Sequence, residues 1–407
     1  MPNFSLVMSK SPTKKSKLLS TIAVLLFALA CGSLADPRVS PPPKQESQGA
    51  AAAPIPHDGS HQTLSTAPTA SELLLLGTQD AEHGRLDDAM ARFDAVLMMD
   101  IPLNYAAAAC LARGRIYQMR GDEERAMRDF EQAIRLQPSN PLAYMYRGLT
   151  LSIRGEHSAA IQDFTEALRF DAKMFRARYN RAGDYVALAR WDLARQDLDE
   201  AIRINPKYTL AFLRRGTFFI LQRQLENARA DYETAARLEP ELADPWIALA
   251  HLELTRQRYL AAMSNFEKAL TKKPSKPEAV LNSLAWLRAT CPEPQARNGA
   301  KAMKEALQAC EQSRWMEARY VETLAAAYAE AGEFEDAVNF QWFAIGLMTS
   351  ESALLPGAQE RLRSYDKRQP YREKEKQKSE GQPPDIEPLR EQINQPWPAS
   401  SEPAKTA

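Results

Sequence analysis

Apolar and polar positions alternate along the chain in a pattern that predicts pairs of amphipathic helices over most of its length. A small residue recurs at one position of each pair, at Gly77, Gly114, Gly148, Ala182, Gly216, Ala250, Ala285 and Ala325. From Gly114 to Ala250 this small position repeats every 34 residues. Twelve residues after it most copies have alanine, and sixteen residues after it six copies have Phe, Leu or Tyr. Small and bulky residues at these spacings predict a helix hairpin whose two backbones cross closely.

Neighbouring hairpins are expected to stack, because each has an apolar face that it cannot bury alone. Four copies close with a proline that stops the second helix, at Pro138, Pro206, Pro240 and Pro274. The pattern therefore predicts an all-α array of stacked hairpins, in which the first helix of each hairpin carries the small position.

These residues resemble the tetratricopeptide repeat family over residues 71–350, in about eight copies. The resemblance departs at Val96, which replaces a small residue in the first copy, and at CPEPQARNG, which lengthens the turn of the seventh. The chain from SLAWLRATCPEP to RLRSYDKRQPYRE is similar to the compound ending of many bacterial members. The resemblance implies a right-handed superhelical solenoid of helix hairpins, with a capping helix over residues 351–373.

Four consecutive copies carry Arg before the small position and Asp before the bulky one. These residues, the Arg–Asp ladder, are Arg113 with Asp129, Arg147 with Asp163, Arg181 with Asp197, and Arg215 with Asp231. Where Leu replaces the Arg, the Asp is also gone. We expect the two charges of each copy to form an ion pair, since pairing across copies would leave Arg113 and Asp231 without partners. The alternative is that the two charges are independent and solvated. A pair formed only at the surface would contribute about 0–1 kcal/mol to stability.

Tetratricopeptide arrays bind partners along the concave face that their first helices line, and the resemblance carries this expectation here. Counting from the small position at helical spacing places nine residues on that face, which we call the inner strip: Arg115, Met145, Leu149, Tyr179, Leu213, Thr217, Ile220, Ile247 and His251. Some of them must instead pack between copies. The family's carboxylate-binding pattern of Lys and Asn is reduced to Asn180 and Arg214, so no carboxylate clamp is predicted.

Both ends of the chain differ from the repeats. Residues 1–30 combine Lys10, Lys14, Lys15 and Lys17 with an apolar run too short to span a bilayer, which predicts a secretory signal rather than an uncleaved anchor. Cys31 follows an imperfect lipobox, so lipidation at Cys31 and simple secretion are both open. Residues 31–70 predict a disordered Pro/Ala-rich tether, and residues 374–407 a disordered tail.

Little in the sequence points to chemistry. Lys plus Arg and Asp plus Glu both number 52, so the net charge does not favour nucleic acid. The five histidines form no metal-ligand pattern, and no phosphate loop or nucleophile elbow is present, so neither a metal, nor a cofactor, nor an enzymatic activity is expected. Cys291 and Cys310 could form a disulfide in an exported protein. Cys291 ends the first helix of its hairpin, whereas Cys310 lies well along the returning helix, so the two are expected to be too far apart for a disulfide.

The sequence therefore predicts an exported or membrane-tethered scaffold, in the periplasm, cell envelope or extracellular space, that binds a protein or peptide of unknown identity along the inner strip. Structural self-association of the array is the alternative, with possible homo-oligomers, and an enzyme is the least favoured class.

Overall fold

The computed structural model describes residues 68–349 and 352–373 as eight helix hairpins and one further helix, with no β-strand in these ranges. The first helices are α1 (Ala70–Glu82), α3 (Leu103–Met119), α5 (Pro141–Ile153), α7 (Phe175–Ala187), α9 (Thr209–Leu221), α11 (Asp244–Thr255), α13 (Pro277–Thr290) and α15 (Ala318–Glu330). The second helices are α2 (Leu86–Leu97), α4 (Glu123–Leu136), α6 (His157–Phe170), α8 (Trp191–Ile204), α10 (Leu225–Leu238), α12 (Tyr259–Thr271), α14 (Gly299–Gln312) and α16 (Phe334–Leu347). The hairpins are followed by α17 (Leu355–Asp366). The prediction of an all-α helical repeat solenoid is confirmed.

Several predictions made from the sequence lie outside the described residues. These are the signal segment, Cys31, the tether up to residue 67 and the tail from residue 374. Among the helices that the structure describes, none is long and apolar enough to cross a membrane.

The small position lets the two helices of a hairpin approach closely. A Cβ added at Gly216 would lie 2.4 Å from a ring carbon of Tyr232, and one at Gly148 would lie 3.1 Å from Phe164. Both aromatic side chains are fully buried. The bulky residue on the second helix therefore fills the space that the missing side chain leaves on the first.

The tight turn inside a hairpin requires a left-handed backbone residue. Gly155 fills this position in the third hairpin with φ +76°, where glycine is unstrained. Arg223 holds the same position in the fifth hairpin with φ 59°. The turn geometry therefore persists where the sequence does not supply glycine.

Each Arg of the ladder forms a two-pronged ion pair with the Asp of its own hairpin. Arg147 donates from Nε to Asp163 Oδ2 at 2.8 Å and from Nη2 to Asp163 Oδ1 at 2.7 Å. The other three pairs have the same geometry. The hydrogen bond from Arg147 to Asp163 raises the pKa of Arg147, so the guanidinium stays charged. The four Asp residues are buried, so each pair lies between the helices and is not a solvated surface contact.

Three ladder arginines also reach the preceding hairpin with their third nitrogen. Arg113 Nη1 donates to Asp94 at 2.6 Å, Arg181 Nη1 to Thr165 at 2.9 Å, and Arg215 Nη1 to Asp199 at 2.8 Å. One side chain thus joins two helices of its own hairpin to the second helix before it. The ladder therefore sets the register between hairpins as well as within them.

The first hairpin keeps an ion pair but reverses its charges. Arg92, which stands where the ladder has Asp, donates to Asp80 at 2.5 Å, and Arg85 donates to the same carboxylate. Asp80 is buried on the first helix, and the hydrogen bonds from Arg92 and Arg85 lower the pKa of Asp80. In the sequence Arg92 marked only the absence of the ladder Asp, and its pairing with Asp80 was not predicted.

The seventh hairpin has the longer turn that its sequence indicated. Cys291 ends α13, and a 3₁₀ turn at Pro294–Ala296 leads to α14. Cys110, Cys291 and Cys310 are buried free thiols. Burial raises the pKa of Cys310 to about 12, so this thiol is an unreactive part of the core.

Candidate functional site: the inner surface of the first helices

The first helices lie on the inside of the array. First helices of neighbouring hairpins touch one another along most of the array, whereas second helices of neighbouring hairpins approach each other less closely. Gln118 on α3 donates to Thr150 on α5 at 2.9 Å, and Ser152 on α5 donates to Asp184 on α7 at 2.7 Å. Since neighbouring first helices pack more closely than neighbouring second helices, they lie on the inner side of the array. Their side chains that point away from the second helices form the inner surface.

Five of the nine inner-strip residues are buried, so the expectation that they face a partner is corrected. They are Met145, Leu149, Tyr179, Thr217 and Ile220, all with at most 6% of their surface exposed. Met145 and Leu149 pack in an apolar cluster with Phe164 of α6. Thr217 lies 3.1 Å from the Tyr232 hydroxyl of α10. Sequence spacing therefore did not separate side chains that face a partner from those that pack inside their own hairpin.

Tyr179 illustrates how this burial arises. Its ring lies 5.3 Å from the ring of Tyr208, and the Arg214 guanidinium stacks on it at 3.9 Å from the ring centroid. Arg214 also donates from Nη1 to the Tyr179 carbonyl oxygen at 3.0 Å. Tyr179 and Arg214 therefore hold α7 against α9, and neither is available to a partner without local opening.

The other four residues of the inner strip are half-buried. Arg115 stacks on Tyr146 at 5.0 Å from the ring centroid, and no carboxylate of the described chain pairs with it. Leu213 and Ile247 pack at the edge of apolar clusters, and His251 lies edge-on to Phe266 at 5.3 Å. These side chains keep part of their surface on the inner side.

Three exposed apolar side chains extend the strip and were missed by the sequence analysis. Met119 is one helical turn after Arg115, Leu142 is one turn before Met145, and Ile153 is one turn after Leu149. Each is about 40% exposed, at 39%, 42% and 40% respectively. The i, i+3 and i, i+4 spacings of a helix could have identified them. They make the inner surface of the second and third hairpins its most exposed apolar part.

In the seventh hairpin the chain's own C-terminal segment covers the inner surface. Trp286 follows the small position there, as Arg115, Leu149 and His251 do in their hairpins. Its indole Nε1 donates to Glu373 Oε1 at 2.8 Å, and its ring lies 6.0 Å from the ring of Tyr371. The Arg361 guanidinium on α17 lies over both rings.

This segment, residues 369–373, lies outside any helix and donates hydrogen bonds to main-chain carbonyls of α13. The Glu373 N–H donates to the Thr290 carbonyl at 2.9 Å, and Arg372 donates to the Ala289 carbonyl at 3.3 Å. Arg372 also pairs with Glu330 on α15. Burial raises the pKa of Tyr371, as expected for a phenol held against the strip. The segment therefore uses carbonyls at a helix end, an aromatic contact and one indole hydrogen bond.

One polar cluster between hairpins has side chains of the kind used in catalysis. Ser152 Oγ and His157 Nδ1 each lie 2.7 Å from Asp184 Oδ1, and Asp184 is almost fully buried. Burial raises the pKa of Asp184, opposed by the hydrogen bonds from His157 and Ser152. Activation of a serine nucleophile needs a serine–histidine hydrogen bond, but here both groups bond to the carboxylate. The cluster is therefore built to join two hairpins.

Groups of three or more His, Cys, Asp or Glu side chains that could hold a metal ion are not found within residues 68–349 and 352–373. The inner surface offers apolar side chains, aromatic faces, guanidinium groups and helix-end carbonyls. These groups suit the recognition of a polypeptide.

Comparison with known proteins agrees with this architecture. The family model described as "Tetratricopeptide repeat" matches residues 111–175. Among curated proteins, none matches the chain in sequence.

Solved structures resemble the chain at low sequence identity. One chain in the structure of the APC/C hetero-tetramer Cut9–Hcn1 is 16% identical with a TM-score of 0.50, covering 72% of this chain and 55% of that one. A tetratricopeptide repeat protein from Parabacteroides merdae is 17% identical with a TM-score of 0.45, covering 73% and 98%. Yeast Tom70 is 16% identical with a TM-score of 0.49, covering 75% and 66%. The Cut9 match supports the repeat fold.

Proposed function

We propose that this chain, a tetratricopeptide repeat protein, is a scaffold that binds a partner protein or peptide along the inner surface of its first helices. The observation that carries the proposal is the packing of the segment 369–373 on Trp286. This surface holds a polypeptide through main-chain, aromatic and indole contacts that need no special partner fold. The hairpins before the seventh repeat the same helix face without a described segment over it.

The partner segment that fits best is an extended or amphipathic stretch with two or three apolar anchors. Met119, Leu142 and Ile153 supply exposed apolar surface, and Arg115 supplies a guanidinium that pairs with no carboxylate among the described residues. In such grooves a few anchors carry most of the affinity. We therefore place the binding region on α3 and α5, away from the surface that residues 369–373 cover.

The experiment compares capture of partners by the full chain and by a Leu142→Ser, Ile153→Ser double variant. Both positions are exposed, so the fold should survive, which circular dichroism would check. Leu193→Ser on α8 is the matched control, because Leu193 is equally exposed, at 42%, but lies on a second helix. The proposal predicts a reproducible cross-linked partner that the double variant loses and the control keeps.

Capture by a folded double variant at the wild-type level would contradict binding on α3 and α5. Recovery of the chain alone, with a mass in light scattering that rises with concentration, would instead favour self-association of the array.

We also propose that the chain is exported, from the lysines and short apolar run of residues 1–30, with Cys31 as the candidate lipid attachment site. Labelled fatty acid incorporation into the wild type and into Cys31→Ser tests the lipid. Equal labelling, or none in either, would leave soluble secretion in its place.

A further inference from the structure

The Arg–Asp ladder ends at the fifth hairpin, and the place where it ends differs in shape. In the sixth hairpin Leu249 stands where the ladder has Arg, and Asn265 stands where it has Asp. At the previous junction Arg215 bridges to Asp199. The counterpart of Asp199 is Glu233, which receives no arginine from the sixth hairpin and pairs with Arg229 of its own helix at 3.1 Å.

A groove of about 810 Å³ opens where the bridging arginine is missing. It lies between the second helices α10 and α12, on the side of the array away from the inner strip. Trp246 of α11 supplies apolar surface, and Arg237, Asn265 and Lys268 supply polar groups. Leu249 of α11 and Ala236 of α10 also line the groove but are buried. We call it the outer groove.

The charges of the outer groove are not balanced. Its lining contains Arg229, Arg237 and Lys268 but only the carboxylate of Glu233. Arg229 is engaged by Glu233 and by Glu253, which it contacts at 2.9 Å. In the described part of the chain Arg237 bonds only to the Thr234 hydroxyl, at 2.9 Å, and Lys268 only lies over the Trp246 ring, at 4.8 Å. Two cations therefore remain without a carboxylate.

The groove also contains an unmet hydrogen-bond donor. The indole Nε1 of Trp246 is buried and has no acceptor among the described residues. A buried donor without a partner is unfavourable in proteins, so Trp246 is a strained part of the groove lining.

We propose that the outer groove binds an acidic peptide segment in which Asp or Glu stands next to a bulky apolar residue. The carboxylate lies between Arg237 and Lys268, and the apolar side chain packs beside the partly exposed Trp246. A basic peptide would meet the two uncompensated cations, so the charges select against it. The outer groove is a second binding site, independent of the one proposed on the inner surface.

The test uses the full chain and two fluorescent peptides, one alternating Glu and Leu and the other alternating Lys and Leu, followed by anisotropy. The acidic peptide should bind and the basic one should not. Lys268→Glu reverses one rim charge and should weaken binding about tenfold. Lys304→Glu is the matched control, because Lys304 is an exposed lysine on a second helix without an ion-pair partner in the described chain, and it should bind normally.

A second variant rebuilds the ladder in the sixth hairpin. Leu249→Arg with Asn265→Asp restores the residues found in the four preceding hairpins, so the new arginine should fill the groove and abolish binding while helicity is kept. If this variant loses helicity, the comparison of Lys268→Glu with Lys304→Glu decides. Unchanged affinity in Lys268→Glu, binding of the basic peptide, or a dimer that Lys268→Glu dissociates would each overturn the proposal.

Discussion

The second to fifth hairpins and the sixth to eighth are built on the same plan but are held together differently. In the former, one ladder ion pair recurs in each hairpin, and three of the four arginines also reach the hairpin before. In the latter, Leu249, Leu284 and Leu324 occupy the arginine position and are buried. Ion pairs in this region are individual, such as that of Arg361 with Glu322. The repeated polar contacts make the junctions of the second to fifth hairpins alike. Where these contacts are missing, the array has the outer groove and an inner surface that residues 369–373 cover.

The largest effect should come from removing one charge of the ladder. Asp163→Leu leaves Arg147 three-quarters buried without its partner, so we expect the free energy of unfolding to fall by about 3 kcal/mol. Arg147→Leu and the double variant complete a cycle, in which urea unfolding should reveal a coupling of about 1–3 kcal/mol. The exposed pair of Glu200 with Arg203 is the control, and its two substitutions should simply add. Additivity at Arg147 and Asp163 would contradict a structural role for the ladder.

Crowding at the small position should have the next largest effect. In Gly216→Ala the added Cβ meets the buried Tyr232 ring at 2.4 Å, so we expect a loss of about 2 kcal/mol from overpacking. Gly346→Ala on α16 is the control, because nothing lies within 4 Å of its added Cβ. That variant should keep or raise the melting temperature, since alanine favours helix over glycine. If Gly216→Ala leaves the free energy of unfolding unchanged, the fifth hairpin tolerates the helix spacing of the sixth, which has Ala250 at this position.

A smaller effect should depend on pH at the junction of the third and fourth hairpins. Burial raises the pKa of Asp184 above its ordinary value of 3.8. The folded state therefore binds this proton more tightly than the unfolded state, so the contribution of Asp184 to stability falls as pH rises from 3.8 through the raised value. His157, Ser152 and Arg214 face the carboxyl and oppose the shift.

Melting temperatures of the wild type and Asp184→Asn, measured from pH 4 to pH 7, isolate this contribution from other carboxyls. The stability of the wild type relative to the variant should decrease with pH. A constant or increasing difference would show that His157 and Ser152 outweigh the burial.

The smallest effect should come from the turns. Arg223 is exposed and holds a left-handed conformation that glycine adopts without strain, so Arg223→Gly should stabilise the array by about 0.5 kcal/mol. Gly155→Ala places a side chain in the same conformation in the third hairpin and should destabilise it. Thermal unfolding compares the two, and stabilisation by both substitutions would contradict the assigned strain.

The features that follow the repeat could be predicted from the sequence. The all-α solenoid is confirmed, and residues 111–175 match the tetratricopeptide repeat model, because the small and bulky positions recur at a fixed spacing. The partners in the ladder were also readable, because Arg and Asp appear and disappear together. The arginine bridges to the preceding hairpin were not, since the accepting residue is Asp94 or Asp199 in two hairpins but Thr165 in a third.

What depends on distances between neighbouring helices was not predictable. Tyr179 is buried because Tyr208 and Arg214 pack on its ring, and Met145 is buried in an apolar cluster with Phe164. Residues 369–373 carry no periodic signal, and their contact with Trp286 joins positions far apart in the chain. The outer groove left one trace that could have been used, which is the joint loss of Arg and Asp at Leu249 and Asn265.

The contact between Trp286 and Glu373 also bears on how the chain is made, because 87 residues separate the two. Ribosomes add roughly 5–20 residues per second, so Glu373 follows Trp286 by about 4–17 s. Hairpins form from local contacts and need not wait for it. Each newly made molecule therefore passes through an interval in which its seventh hairpin has folded but remains uncovered. Any nascent-chain factor that recognises exposed tryptophan has access to this protein during those seconds and loses it once synthesis ends.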